Sequence, residues 1–300
     1  MAPDPPAPDR SAAEPTTAGS PVPEPPTPEP PTPEPAAPGF ELRYPPVSPW
    51  TISRPPMRMT WEELTLLHWR YRAEEVQALL PPGVAVETFD GSAWVGLVPF
   101  RMRVDVPLLP DLPSILHFPE TNVRTYVRDR HDRPGVWFFS LEAASLPAVV
   151  TARATYGVPY FWSTMSIDTP GHLAAGDLSG TGDRLRYHTE RRRWPGPSGA
   201  SSLVEVEVGE PFGAAEAGPL DHFLTARWAL FGRYGPLLTR GRMEHEPWPL
   251  HHVAVHRLHD ELVTAAGLPA PTGEPLAHYS PIVHVRCGWP TVVGRARRHL

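Results

Sequence analysis

The sequence predicts a β-rich α+β fold, an antiparallel barrel or sandwich with a few peripheral helices. Three observations carry this expectation. Glycine and proline interrupt the chain every 10 to 20 residues beyond the first 45, apolar–polar alternation dominates over helical spacing, and only two segments read well as helices. Short alternating strands bounded by turn residues bury one face each, and they do so by stacking sheets or closing a barrel.

In chain order, residues 64–71 are the first strand candidate, and 73–80 form a short helix stopped by Pro81-Pro82-Gly83. Residues 84–89 and 93–104 flank Asp90-Gly91, which supplies the positive φ angles of a type I′ turn and predicts a hairpin. A second hairpin joins 122–128 to 136–143 through the polar turn 129–135. On its first arm Val123, Thr125 and Val127 alternate with Asn122, Arg124, Tyr126 and Arg128. Residues 160–168, 185–190, 203–208, 252–258 and 282–287 are further strand candidates. The better helix is 219–234, where Leu220, Phe223, Leu224, Trp228 and Phe231 keep helical spacing before Gly235-Pro236.

Composition divides the chain into an acidic proline-rich tail over 1–45, one globular domain over 46–290 and a basic C-terminal tail over 291–300. The first 39 residues hold 15 prolines, six acids and one base, and 23–35 repeat PEPPT without an apolar period. Such a segment buries too little apolar surface to offset its ordering entropy, so disorder is expected. It reads as a spacer or solubilising tail, or as a docking segment for a proline-reading module. It carries −5 of the chain's net −6, which leaves a near-neutral body without a nucleic-acid footprint. The arginine runs 191–193 and 295–298 read as solvated surface. No secretory leader and no apolar run of membrane-spanning length is visible, so a cytoplasmic protein is expected. The single cysteine, Cys287, rules out an intramolecular disulfide and a thiolate-built zinc site.

The chain has no lysine; all 27 basic residues are arginine. Lysine amines form Schiff bases with carbonyl substrates and guanidinium groups do not, so imine chemistry through a side chain is excluded.

Three runs carry a resemblance: WVGLVPFRMR at 94–103, FPETNVRTYV at 118–127 and GVWFFSLEA at 135–143. With them go Leu67-His68-Trp69, Leu79 to Gly83, Val158-Pro159-Tyr160, Phe223-Leu224-Thr225 and Pro247 to Leu250. In this order, over roughly 57–287, the chain resembles the YqjF-like bacterial family, a domain of unknown function. The resemblance implies an acetoacetate-decarboxylase-like fold, a β-structure around a small-molecule cavity, and no established reaction. Where the family often has glutamate after Leu-Thr, this chain has Ala226, so no role is assigned to a carboxylate there.

Candidate site residues lie on the second hairpin. A turn centred near Asp132 sets Arg124 opposite Ser140 and Asn122 opposite Glu142, with Tyr126 and Glu120 on the same face. Arg124 has the geometry to hold a ligand carboxylate through a bidentate fork, with Asn122, Tyr126 and Ser140 beside the ligand. Glu142 or Glu120 then serves as a proton-transfer group. The alternative is a solvated face with an Arg–Glu cross-strand pair. His68, inside an apolar run, is either a structural histidine or a pocket acid or base. His245, His251, His252, His256 and His259 cluster in sequence, but on a strand His252 and His256 stand roughly 13 Å apart, too far to chelate one ion. No metal or cofactor is expected.

Three functional readings remain: a pocket for an anionic or polar organic ligand, a non-covalent acid/base enzyme of lyase, isomerase or hydratase type, and a scaffold acting through its proline-rich tail. The expected partner is a small molecule, with no nucleic acid and no membrane; a homo-oligomer is compatible with all three.

Overall fold

Every strand foreseen from alternation is present in the computed structural model, which describes residues 44–107, 112–169, 178–213 and 215–295. The PEPPT repeat lies outside the described residues, as do Arg297 and Arg298. In chain order the elements are β1 (Met57–Tyr71), α1 (Ala73–Leu79), β2 (Val84–Val86), β3 (Thr88–Phe89), β4 (Ser92–Asp105), α2 (Pro113–Leu116), β5 (His117–Asp129), β6 (Pro134–Ala143) and α3 (Leu146–Thr155). Then follow β7 (Tyr160–Asp168), β8 (Arg184–Arg191), β9 (Ser201–Pro211), α4 (Pro219–Thr225), β10 (Ala229–Tyr234), β11 (Leu237–His245), β12 (His251–Asp260), α5 (Leu262–Ala265), β13 (Leu276–Cys287) and β14 (Thr291–Arg295).

The ladder runs β6-β7-β8-β9-β12-β13-β1-β4-β5, and β5 pairs back onto β6. The sheet thus closes on itself and is barrel-like, which removes open edges along this path. Two strands fork it. β6 gives one edge to β5 and divides the other, residues 136–137 pairing with β10 and 141–143 with β7, both parallel. β13 likewise pairs with β1 on one side, and with β12 at Tyr279 and β11 at 285–287 on the other. A smaller ring, β1-β4-β5-β6-β10-β11-β13, results from the two forks.

β1 and β4 carry apolar residues on both faces because each feeds two cores. Leu64 and Leu66 with Val98, Phe100 and Met102 pack towards Leu141, Met243 and Cys287. Leu67 and Trp69 with Val95 and Leu97 pack towards Leu185, Val204, Val206 and Tyr279. Alternation alone separates the two sets.

Five expectations are corrected. Residues 219–234 do not form one helix: α4 stops at Thr225 and the rest is β10. β10 completes a hairpin with β11 and gives β6 a partner along residues 136–137. Gly232, a poor helix residue, is needed there because a Cβ would stand 2.1 Å from the Tyr156 carbonyl oxygen. The first hairpin is shorter than expected. Asp90 (φ 51°) and Gly91 (φ 73°) do make the turn, but only β3 folds back on β4, while β2 pairs with residues 127–129 of β5.

The second hairpin has a different register. Asn122 faces Leu141 and Val123 faces Ser140, and past a bulge Arg124 faces Phe138. Because side chains alternate, a one-residue slip moves Ser140 and Glu142 to the opposite face from Asn122 and Arg124.

The tail boundaries also move outward, so that the body is longer at each end. Tyr44 is buried and its hydroxyl donates to Glu87 Oε1 at 2.9 Å, Trp228 Nε1 donates to the Pro45 carbonyl at 3.0 Å, and β14 pairs with β11 inside the presumed basic tail. Arg191, read as solvated, is 3% exposed.

Candidate functional site

β5 carries Glu120, Asn122 and Arg124 on one face, opposite Phe100, Val98 and Gly96 of β4. That face closes one side of a cavity of about 90 Å³ inside the smaller ring. Its other walls are mostly apolar: Leu64 and Trp61 of β1, Phe138 and Leu141 of β6, Leu230 of β10, and Tyr156, Val158 and Tyr160 after α3. So three of the seven expected site residues line one cavity. Tyr126 and His68 stand behind it, and Ser140 and Glu142 face away.

Glu120 and Tyr160 form the polar group at one end. The Tyr160 hydroxyl donates to Glu120 Oε2 at 2.8 Å, and Glu120 is 2% exposed. Burial pushes the Glu120 carboxyl up to about 8, against the opposing effect of that hydrogen bond, so it is mainly protonated at neutral pH. Burial, and then the neighbouring carboxylate, holds the Tyr160 phenol well above its usual range. A neutral carboxylic acid facing an apolar cavity is a hydrogen-bond donor and a proton source.

Arg124 lies four residues along the strand, roughly 13 Å away. It is 7% exposed, its Nε has no hydrogen-bond partner, and no carboxylate pairs with it among the described residues. Asn122 Oδ1 and Trp61 Nε1, also on the cavity wall, are buried without partners. The Arg124 guanidinium sits 5.8 Å from the Tyr126 ring centroid. His68 Nε2 and the Tyr126 hydroxyl are 2.6 Å apart. Burial, then Arg124 and His278, hold the His68 imidazole well below its usual range, so it is neutral. A Cβ at Gly96 would stand 2.9 Å from His68 Nε2 and 3.5 Å from Arg124 Cγ, so glycine lets both side chains close over β4.

Glu142 is fully buried but engaged elsewhere. Arg191 Nη2 donates to its Oε1 at 2.5 Å and Ser163 Oγ to its Oε2 at 2.8 Å. A carboxylate held by a guanidinium and a hydroxyl on the far face of β6 does not act on a ligand beside Arg124. Arg227 and Glu87 form a second buried pair, with the guanidinium stacked over Tyr126 and Phe223. The clustered histidines scatter: His245 is buried among Trp61, Trp228 and Trp248, while His252 and His256 face Glu216 and Glu207 on the surface.

Sequence reasoning missed Tyr160, Tyr156 and Trp61, because the cavity joins strands far apart in the chain and no local spacing announces them.

A closed, forked β-structure of this kind is the acetoacetate-decarboxylase-like fold, as solved structures show. The chain is similar to an acetoacetate decarboxylase-like enzyme from Sphingomonas wittichii RW1 (TM-score 0.57, 14% identity, 83% of this chain and 97% of that one). It is also similar to the enduracididine biosynthesis enzyme MppR complexed with the condensation product of pyruvate and imidazole 4-carboxaldehyde (0.56, 15%, 81% and 91%). A third is the acetoacetate decarboxylase from Legionella pneumophila (0.52, 12%, 88% and 98%). Such identities show a shared fold and nothing finer. Residues 58–284 match the DUF2071 family, described as an uncharacterised conserved protein, and the chain belongs to that family. The uncharacterised protein YqjF of Bacillus subtilis (strain 168) is 31% identical over 225 residues, 75% of this chain and 87% of that protein. No helix among the described residues is long and apolar enough to cross a membrane.

Proposed function

We propose that the cavity binds a small organic anion, with Arg124 holding the anionic group and protonated Glu120, backed by Tyr160, at the other end. The observation that carries this reading is the state of Arg124: a buried guanidinium without a carboxylate, beside the unpartnered Asn122 Oδ1 and Trp61 Nε1. A buried charge left alone costs several kcal/mol, and a ligand anion offsets that cost. The solved structure of MppR with pyruvate places a small carboxylate in a protein of this fold. Without lysine, this chain binds its anion without an imine. Calorimetric titration with pyruvate and longer carboxylates tests the reading. Wild-type chain is expected to bind at least one, and Arg124→Met to lose about a hundredfold in affinity. Equal affinity in the variant removes Arg124 from the site.

The Glu120 carboxyl favours a second reading, a non-covalent acid/base enzyme. A group titrating at about 8 is poised to exchange a proton near neutral pH. Exchange of the methyl protons of pyruvate in D2O, followed by proton NMR, is then expected in wild type and absent in Glu120→Gln with binding retained. Exchange that persists in Glu120→Gln assigns the base elsewhere.

A further inference from the structure

Five of the seven sulfur-bearing side chains in the sequence line this one cavity: Met57, Met59, Met102, Met243 and Cys287. The register explains how they gather. Cys287 on β13 stands directly opposite Met57 on β1 and Met243 on β11, so three sulfur side chains form a row across three strands. Met59 follows on the same face of β1, and Met102 on β4 faces Trp61. The neighbouring core, on the other face of β1 and β4, has no methionine and is built from Leu185, Val204, Val206 and their neighbours. Sulfur is therefore concentrated where the cavity is.

Methionine is unbranched, with three rotatable bonds and a polarizable thioether, and it moulds to irregular partners; β-branched residues are stiff at χ1. The cavity, at about 90 Å³, is small beside the roughly 300–1,000 Å³ of ordinary ligand sites. Only walls that can change rotamer admit a ligand larger than a few atoms, and the methionines are those walls.

We propose that the cavity takes monocarboxylates with an apolar tail and selects them by charge rather than by tail shape. Met59, Met102 and Met243 are the residues that set this tolerance. The inference rests on Arg124 holding the anion, and it adds the class of molecule attached to that anion.

The test is calorimetric titration of the full chain at pH 7 with hexanoate, 4-methylpentanoate, cyclohexanecarboxylate and benzoate, and with hexanol and benzyl alcohol as uncharged controls. The four acids are expected to bind within about tenfold of one another, and the alcohols about a hundredfold more weakly. Met59→Ile/Met102→Ile/Met243→Ile is expected to spread the acids beyond about tenfold, while the matching Met→Leu triple variant, still unbranched at Cβ, keeps the spread narrow. If the triple isoleucine variant does not fold, Met102→Ile alone is read the same way. A spread beyond about a hundredfold in wild type overturns the inference and leaves the anion reading standing. Alcohols that bind as tightly as the acids overturn both.

Discussion

Arg124 and Arg191 are both buried, at 7% and 3% exposure, yet their surroundings differ in kind. Arg191 reaches a carboxylate and stacks over Phe161 at 3.9 Å. Its partner Glu142 is completed by Ser163. Arg124 faces an apolar cavity with the Tyr126 ring 5.8 Å away and no carboxylate paired with it among the described residues. In a reading by turn symmetry Arg124 and Glu142 belong to the same polar face, and Glu142 serves Arg124. The bulge in the second hairpin separates them and hands Glu142 to a strand reached only after β7. One arginine is thus neutralised by the protein and the other has no carboxylate partner among the described residues, which is the difference on which the proposed anion site rests.

The sharpest way to break this contrast is through pH, because Glu120 belongs to the unpaired region. The folded chain keeps its proton up to about 8, and the unfolded chain releases it near the ordinary carboxyl value of 4.5. The folded state therefore binds more protons between these values. Stability is full below about pH 4.5, falls as pH rises and levels off above about 8, a loss on the order of 5 kcal/mol. Urea unfolding across this range is expected to show the slope in wild type and not in Glu120→Gln. An unchanged slope in the variant places the titration elsewhere.

Next in size is the paired region. Glu142→Gln leaves the Arg191 charge buried and unmatched, and is expected to cost about 3–5 kcal/mol in urea unfolding at pH 7. A loss below about 1 kcal/mol would mean that water reaches the pair. The opposite sign is expected at the cavity. Arg124→Met, measured without ligand, removes an unmatched charge and raises stability by about 1–2 kcal/mol. A fall as large as that of Glu142→Gln erases the distinction between the two regions. The smallest effect is that of Tyr126→Phe, which deletes the hydroxyl facing His68 Nε2 and costs about 1 kcal/mol; no change in thermal midpoint indicates that His68 finds another partner.

Strands were legible wherever one face is apolar, as in 122–128 or 203–208, because period two leaves few alternatives. β10 was not, since Leu220, Phe223, Leu224, Trp228 and Phe231 satisfy a helical spacing by coincidence and only neighbours far away in sequence make Ala229–Tyr234 extended. Glu120, Asn122 and Arg124 were legible as a face for the same reason that β5 was. Their relation to Glu142 was not, because a bulged residue in β6 has no signature in a run of Trp-Phe-Phe. Tyr160 and the sulfur row were invisible, since their meaning arises from neighbours 40 or more positions away: Tyr160 meets Glu120, and Cys287 meets Met243 and Met57.

The fork at β13 has a consequence for the order in which the molecule comes into being. Met57 of β1 pairs with Cys287 of β13, so one wall of the cavity joins the first described strand to the last but one. The hairpin of β5 and β6 can zip as soon as it is synthesised, but long-range pairing of this kind waits for the distant strand. A nascent chain that has already made Arg124 therefore has nowhere to shelter it until the final strands emerge, and the pocket is among the last things the protein acquires.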